Sequence, residues 1–127
     1  MMTLEGFKPF NFNEGVPYVS ITNNGVTFNR SVVMKLNYPE QVVLLIDSET
    51  QRIAIQVCTP DTPNAAPFYK KKKHNVISVR WNGRDLLNTI QVMMGWNLSK
   101  GGFRAEGTLL KEEHAMLFDL NVAAELN

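Results

Sequence analysis

Cysteine, histidine, tryptophan and long apolar runs are all scarce in this chain. A single cysteine, Cys58, stands in 127 residues, so no internal disulfide can form, and a lone thiol suits a reducing compartment. The histidines, His74 and His114, lie far apart, and with Cys58 they give no cluster at tetrahedral metal-ligand spacing. No metal and no cofactor is expected. Gly101 and Gly102 in "NLSKGG" belong to no GxGxxG or Walker pattern. No window approaches the eighteen or so uninterrupted apolar residues of a membrane helix. The opening "MMTLEGFKPF" lacks the positive start and apolar run of a secretory leader, so the expected location is cytoplasmic. Charge of one sign is scarce too, since 13 Lys and Arg balance 12 Asp and Glu to leave +1. Residues 1–57 and 76–127 each carry −1, and residues 58–75 carry +3 from Lys70, Lys71, Lys72 and Lys73 against Asp61. A polyanion would therefore be attracted mainly to one short segment.

What remains is ordinary in bulk, with 44% hydrophobic and 20% charged residues, and fits one domain over 1–127 with a core of its own. "YVSIT" alternates as a strand and runs into the turn signal "NNG", where Gly25 takes positive φ without steric cost. "VTF" is extended. Asn29 is placed to cap a short helix whose Val32, Val33 and Leu36 form one apolar stripe closed by Pro39. "QVVLLID", "SET" and "QRIAIQV" read as a hairpin. Residues 58–75, "CTPDTPNAAPFYKKKKHN", read as a Pro- and Lys-rich linker. Beyond it, "NVISVRW" is β-rich, and Asn82 or Gly83 precedes a helix with Leu86, Leu87, Ile90, Met93 and Met94 on one stripe and Gly95 as its stop. "FRAEGTLL", "KEE" and "HAMLFDL" make a second hairpin.

The two halves overlay. "VTFN" at 26–29 matches "VRWN" at 79–82; after one inserted residue, "RSVVMKL" lies over "RDLLNTI", and Ile53 and Ile55 lie over Met116 and Phe118. The expected fold is α+β but mainly β: a pseudo-symmetric barrel from two β-α-β-β repeats, at about 18–57 and 76–120. A hairpin with one short helix leaves an apolar face and bare edges, which a second copy would cover.

The order of strand, Gly25 turn, "VTF", "RSVVMKL" and "YPEQVVLLID-SET-QRIAIQ" resembles the swapped-hairpin domain of AbrB-type bacterial regulators. In that family two short chains interleave into a barrel; here one chain would supply both halves, as in the tandem MraZ-like arrangement. The chain is also similar to uncharacterised proteins of Gram-positive bacteria with an "NNG(V/I)xFN" opening. The resemblance implies a DNA-binding transcriptional regulator. It also departs from the family, whose arginines on the first strand and following turn reach DNA, because "YVSITNNGVTFN" holds none. The candidate nucleic-acid residues are Arg30, Lys35, Lys70, Lys71, Lys72, Lys73, Arg80 and Arg84. So sparse a set implies weak binding at physiological salt.

Each conspicuous group also has a plain reading. The lysine run, beside Phe68, Tyr69 and His74, is a solvated loop unless it contacts phosphates and bases. Cys58 with His74 or His114 suggests a nucleophile and base, but a lone cysteine at a strand end is more often packed as a small hydrophobe. Glu112 and Glu113 read as exposed turn residues, while Trp81, Met93, Met94 and Trp96 read as core. Phe7, Phe10 and Phe12 read as a tail folded onto the barrel. No acid, base and nucleophile constellation emerges, so the expected function is non-catalytic: DNA binding and regulation, or alternatively protein interaction or a structural role without nucleic acid. No membrane partner is expected. The oligomeric state stays open between a pseudo-twofold monomer and a homodimer.

Overall fold

Alternating apolar residues give most of the longer strands one buried face, and those faces curl around a shared core. The computed structural model describes residues 4–9, 15–71 and 76–126. It is mainly β, with nine strands and two α-helices among the described residues. In chain order these are β1 (Tyr18–Thr22), β2 (Gly25–Phe28), α1 (Arg30–Lys35), β3 (Gln41–Asp47), β4 (Arg52–Val57), β5 (Ala66–Pro67), β6 (Val79–Trp81), α2 (Arg84–Met94), β7 (Gly102–Leu110), β8 (Ala115–Asp119) and β9 (Ala124–Leu126). One 3-10 turn, Leu120–Val122, precedes β9. The strands form one curled half-barrel sheet in the order β5-β3-β4-β8-β7-β1-β2-β6, with β9 also on β7. Every pairing is antiparallel.

Val19, Ile21, Val26, Phe28, Ile53, Ile55, Met116 and Phe118 fill the concave face. Phe28 is its hub, with ring centroids 5.4 Å from Phe68, 5.1 Å from Trp81 and 5.7 Å from Phe118. Trp81 belongs to β6, one end of the strand order, and Phe68 follows β5, the other end. The Trp81 Nε1–H donates to Pro67 O at 3.1 Å, so side chains bridge the two margins of the curl where no ladder is formed.

The helices cover opposite ends. β2 and β6 pair antiparallel with Phe28 opposite Val79, so the chain leaves them in opposite directions, into α1 and α2. Each helix sends apolar residues inward, Val32 and Val33 from α1, Leu87 and Ile90 from α2. Asn29 starts α1 in the expected way, accepting from Val32 N–H at 3.2 Å. Its side chain also accepts from Tyr18 N–H at 3.0 Å and donates to Val16 O at 2.8 Å, tying α1 to the start of β1. α1 stops with Asn37 N–H on Met34 O and Tyr38 N–H on Val33 O, while Asn37 (φ 62°) and Tyr38 (φ 54°) turn left-handed. Gly95 (φ 67°) ends α2 as expected.

Both hairpins and both helices fall where the periodicity places them. Three features differ from the sequence-based expectation. Within the span read as a linker, β5 pairs with β3 and Phe68 enters the core at 5% exposure. The β-rich stretch before α2 is a strand only over Val79–Trp81. Phe7, expected on the barrel, is 72% exposed; Phe10 and Phe12 lie outside the described residues. Gly107 explains a break in the strand pattern, because a Cβ there would sit 2.8 Å from Met116 Sδ and 2.9 Å from a Phe118 ring carbon.

Replacing Asn29 with Ala is expected to cost about 2 kcal/mol, from the lost cap and the two bonds to the start of β1. Urea unfolding would register this as a lower midpoint with unchanged slope; an unchanged midpoint would show that Asn29 is not a structural tie.

Candidate nucleic-acid interface

The candidate cations do not share one face. Arg30 opens α1, exposed, with its Nε–H on Met34 Sδ at 3.2 Å. Lys35 closes α1 and lines a shallow cleft of about 230 Å³ with Leu36, Asn37, Lys111 and His114. Lys70 and Lys71 line a second cleft of about 360 Å³ with Tyr38, Glu40 and Tyr69. Tyr69 N–H donates to Pro39 O, which holds these lysines beside the start of β3, at the end of the barrel covered by α1. Tyr38 is exposed there and meets Tyr69 edge-on at 5.2 Å. Lys72 and Lys73 lie outside the described residues, as does His74. Arg84 opens α2 at the opposite end. Arg80 lies on the convex face of β6, between the core-packed Val79 and Trp81, and its Nε–H donates to Thr27 Oγ1 at 3.0 Å.

Three further groups lie outside the set of candidate nucleic-acid residues, and of these only His114 drew notice in the sequence, as a possible base for Cys58. Lys111 and His114 belong to the turn between β7 and β8 and join Lys35 in its cleft. Arg104 is the third. Strand register sets Arg80 opposite Thr27, Thr27 opposite Ser20, and Ser20 opposite Arg104. One row on the convex face thus reads Arg80, Thr27, Ser20, Arg104. The Arg104 guanidinium lies 4.0 Å from the centroid of the Tyr18 ring. The alternation of Phe103, Arg104, Ala105 and Glu106 already turned Arg104 outward, but its neighbour β1 lies more than eighty residues back in the chain and carries no local signal. Cations thus flank a first strand that has none of its own.

The remaining chemical candidates stay apart. Cys58 is a half-buried free thiol, and no hydrogen bond joins it to His114 among the described residues. Glu112 and Glu113 are exposed in their turn. No group of three His, Cys, Asp or Glu side chains able to hold a metal ion occurs among the described residues. A hollow of about 750 Å³ lies away from the α1 end, between Trp96, Asn97, Lys100, Phe103 and Glu125. Its aromatic wall is the stack of Trp96 on Phe103, with centroids 3.8 Å apart. No helix among the described residues is long and apolar enough to cross a membrane. No protein-family model, curated protein or solved structure matches the chain.

Two carboxyls among the described residues are held below the usual carboxylate range by turn hydrogen bonds. At Asp47 the Thr50 side chain is the largest cause, followed by the Thr50 N–H, with smaller help from Glu49 N–H and from Arg52 at 3.7 Å. At Asp61 the Thr59 hydroxyl leads. A carboxyl whose folded pKa is depressed stabilises the fold above its unfolded value, about 3.9, and loses that contribution as pH falls through the folded pKa. Asp47→Asn keeps a turn acceptor but cannot titrate. Thermal unfolding from pH 5 down to about 2 is expected to show a shallower acid loss in Asp47→Asn than in the parent; identical slopes would remove Asp47 from the acid response.

Proposed function

We propose that the protein is a non-catalytic binding module, an AbrB/MraZ-like barrel built from two β-α-β-β repeats in one chain, which contacts duplex DNA in a regulatory role in the cytoplasm. Strand register supports the repeat. Aligning residues 26–28 with 79–81 requires a twofold relation to pair Val26 with Trp81, Thr27 with Arg80 and Phe28 with Val79, which is the register of β2 on β6. Aligning Ile53 and Ile55 with Met116 and Phe118 requires Ile53 opposite Phe118 and Ile55 opposite Met116, which is the register of β4 on β8. The helices at opposite ends obey the same relation.

For the DNA role, the observation that carries most weight is the gathering of Arg30, Lys35, Lys70, Lys71 and Lys111 around the α1 end, beside the exposed ring of Tyr38. Cations supply phosphate contacts and an aromatic face can stack on a base. Glu40, Glu112 and Glu113 lie in the same region, so affinity is modest and strongly salt-dependent. A second reading, protein interaction without nucleic acid, is favoured by Leu45 and Ile46, large apolar residues of β3 that are 45% and 38% exposed.

Fluorescence anisotropy with mixed-sequence duplex DNA, at low and near-physiological salt, separates the two. Saturable binding is expected at low salt. The double change Lys70→Gln and Lys71→Gln should weaken it and lower the slope of log K against log salt by about 2, whereas Arg84→Gln, at the far end, should leave both nearly unchanged. No binding of the parent protein at low salt would sink the DNA role.

A further inference from the structure

Beyond its first residues, β3 has no neighbouring strand on one side. β5 pairs only with Gln41 and Val42, whereas β4 accompanies β3 from Val42 to Asp47 without a bulge. Two bonds fix the direction of the backbone groups. Gln41 O accepts from Cys58 N–H on the β4 side, and Glu40 O accepts from Phe68 N–H on the β5 side. Successive residues of an antiparallel strand direct their groups to alternate sides, so Leu44 and Ile46 present theirs away from β4. Among the described residues no strand pairs with β3 on that side at Leu44 or Ile46. The side chains match this bare ladder: Leu45 is 45% exposed and Ile46 38% exposed, on opposite faces of the strand. Exposed edges are normally blunted by charge, proline, a bulge or a cover. Val42 to Ile46 carries no charge and no proline.

We propose that β3 is a docking edge for a second copy of this chain, paired antiparallel about Leu45. This is independent of the DNA reading. The edge is complementary to itself. With Leu45 opposite Leu45 of the partner subunit, Leu44 faces Ile46 of the partner subunit and Ile46 faces Leu44 of the partner subunit. Both bare N–H groups and both carbonyls of each copy are then used. The two Leu45 residues form a non-hydrogen-bonded pair, in which side chains approach most closely. Each Asp47 meets Val43 across the junction, so the two carboxylates are kept apart. On the convex face, the apolar row of Leu45, Ala54 and Leu117 set by strand register continues into the same row of the second copy. A single strand pair is small beside the roughly 800 Å² per partner of a standard interface, so the dimer forms and dissociates with concentration.

Sedimentation velocity from about 1 µM to about 1 mM should show monomer passing to dimer, and amide exchange at Leu44 and Ile46 should slow over the same range. Ile46→Pro deletes an N–H that β4 does not use, and Leu45→Lys sets two cations face to face. Both variants are expected to stay monomeric with the parent's far-UV circular dichroism; Leu45→Lys suffices alone where the proline disturbs folding. The proposal is overturned by a parent that remains monomeric throughout. It is equally overturned by a dimer that survives Leu45→Lys, or by one in which the Leu44 and Ile46 amides keep their monomer exchange rates.

Discussion

The packing of Phe28 between Phe68, Trp81 and Phe118 is the contact on which the curl depends. A sheet with one apolar face must cover it, and here the strand order bends until its two margins meet over a single ring. Each aromatic pair contributes about 0.5–1.5 kcal/mol beyond the area it buries. Their arrangement matters as much as their sum, because Phe28 is the residue that touches both margins and the middle of the sheet. With the margins joined, two open ends remain, and the short helices that follow β2 and β6 fill them with Val32, Val33, Leu87 and Ile90.

Much of this architecture is legible locally. Period-2 alternation gives "QRIAIQV" and "HAMLFDL", Asn29 has the chemistry of a cap, and Gly95 that of a helix stop. The features that escape sequence reading are those decided by a distant partner. β5 is two residues in a proline-rich stretch, and it becomes a strand because β3 offers a ladder at Gln41 and Val42. Phe68 sits beside a lysine run, a setting that argues for solvent, yet the gap beside Phe28 and Trp81 takes it into the core. β9 is only three residues long, Ala124–Leu126, and is held as a strand by β7.

The candidate site follows the same logic. Residue type marks a cation as available for phosphate, but its position around a curled sheet depends on strand order. Arg30 and Lys70 are 40 residues apart in sequence and reach the same end of the barrel; Arg80 and Arg84 are four apart and lie on a convex face and at the opposite end. Arg104 pairs through β1 with the row that contains Arg80, a relation that only the folded register creates. The charge of the molecule is thus divided among small local groups. A surface of this kind discriminates partners by geometry more than by field strength.

The bridge from Trp81 to Pro67 spans 14 residues of chain, whereas the pairing of β1 with β7 joins Tyr18 to Glu106. Loop-closure entropy grows only with the logarithm of length, but the two contacts differ in what their loss releases. The bridge links positions close in sequence, while the pairing of β1 with β7 joins segments far apart in the chain. The curl therefore has a seam that is closed by side chains and not by a ladder. Penetration of water or denaturant should begin there, at the margin where side chains stand in for a ladder.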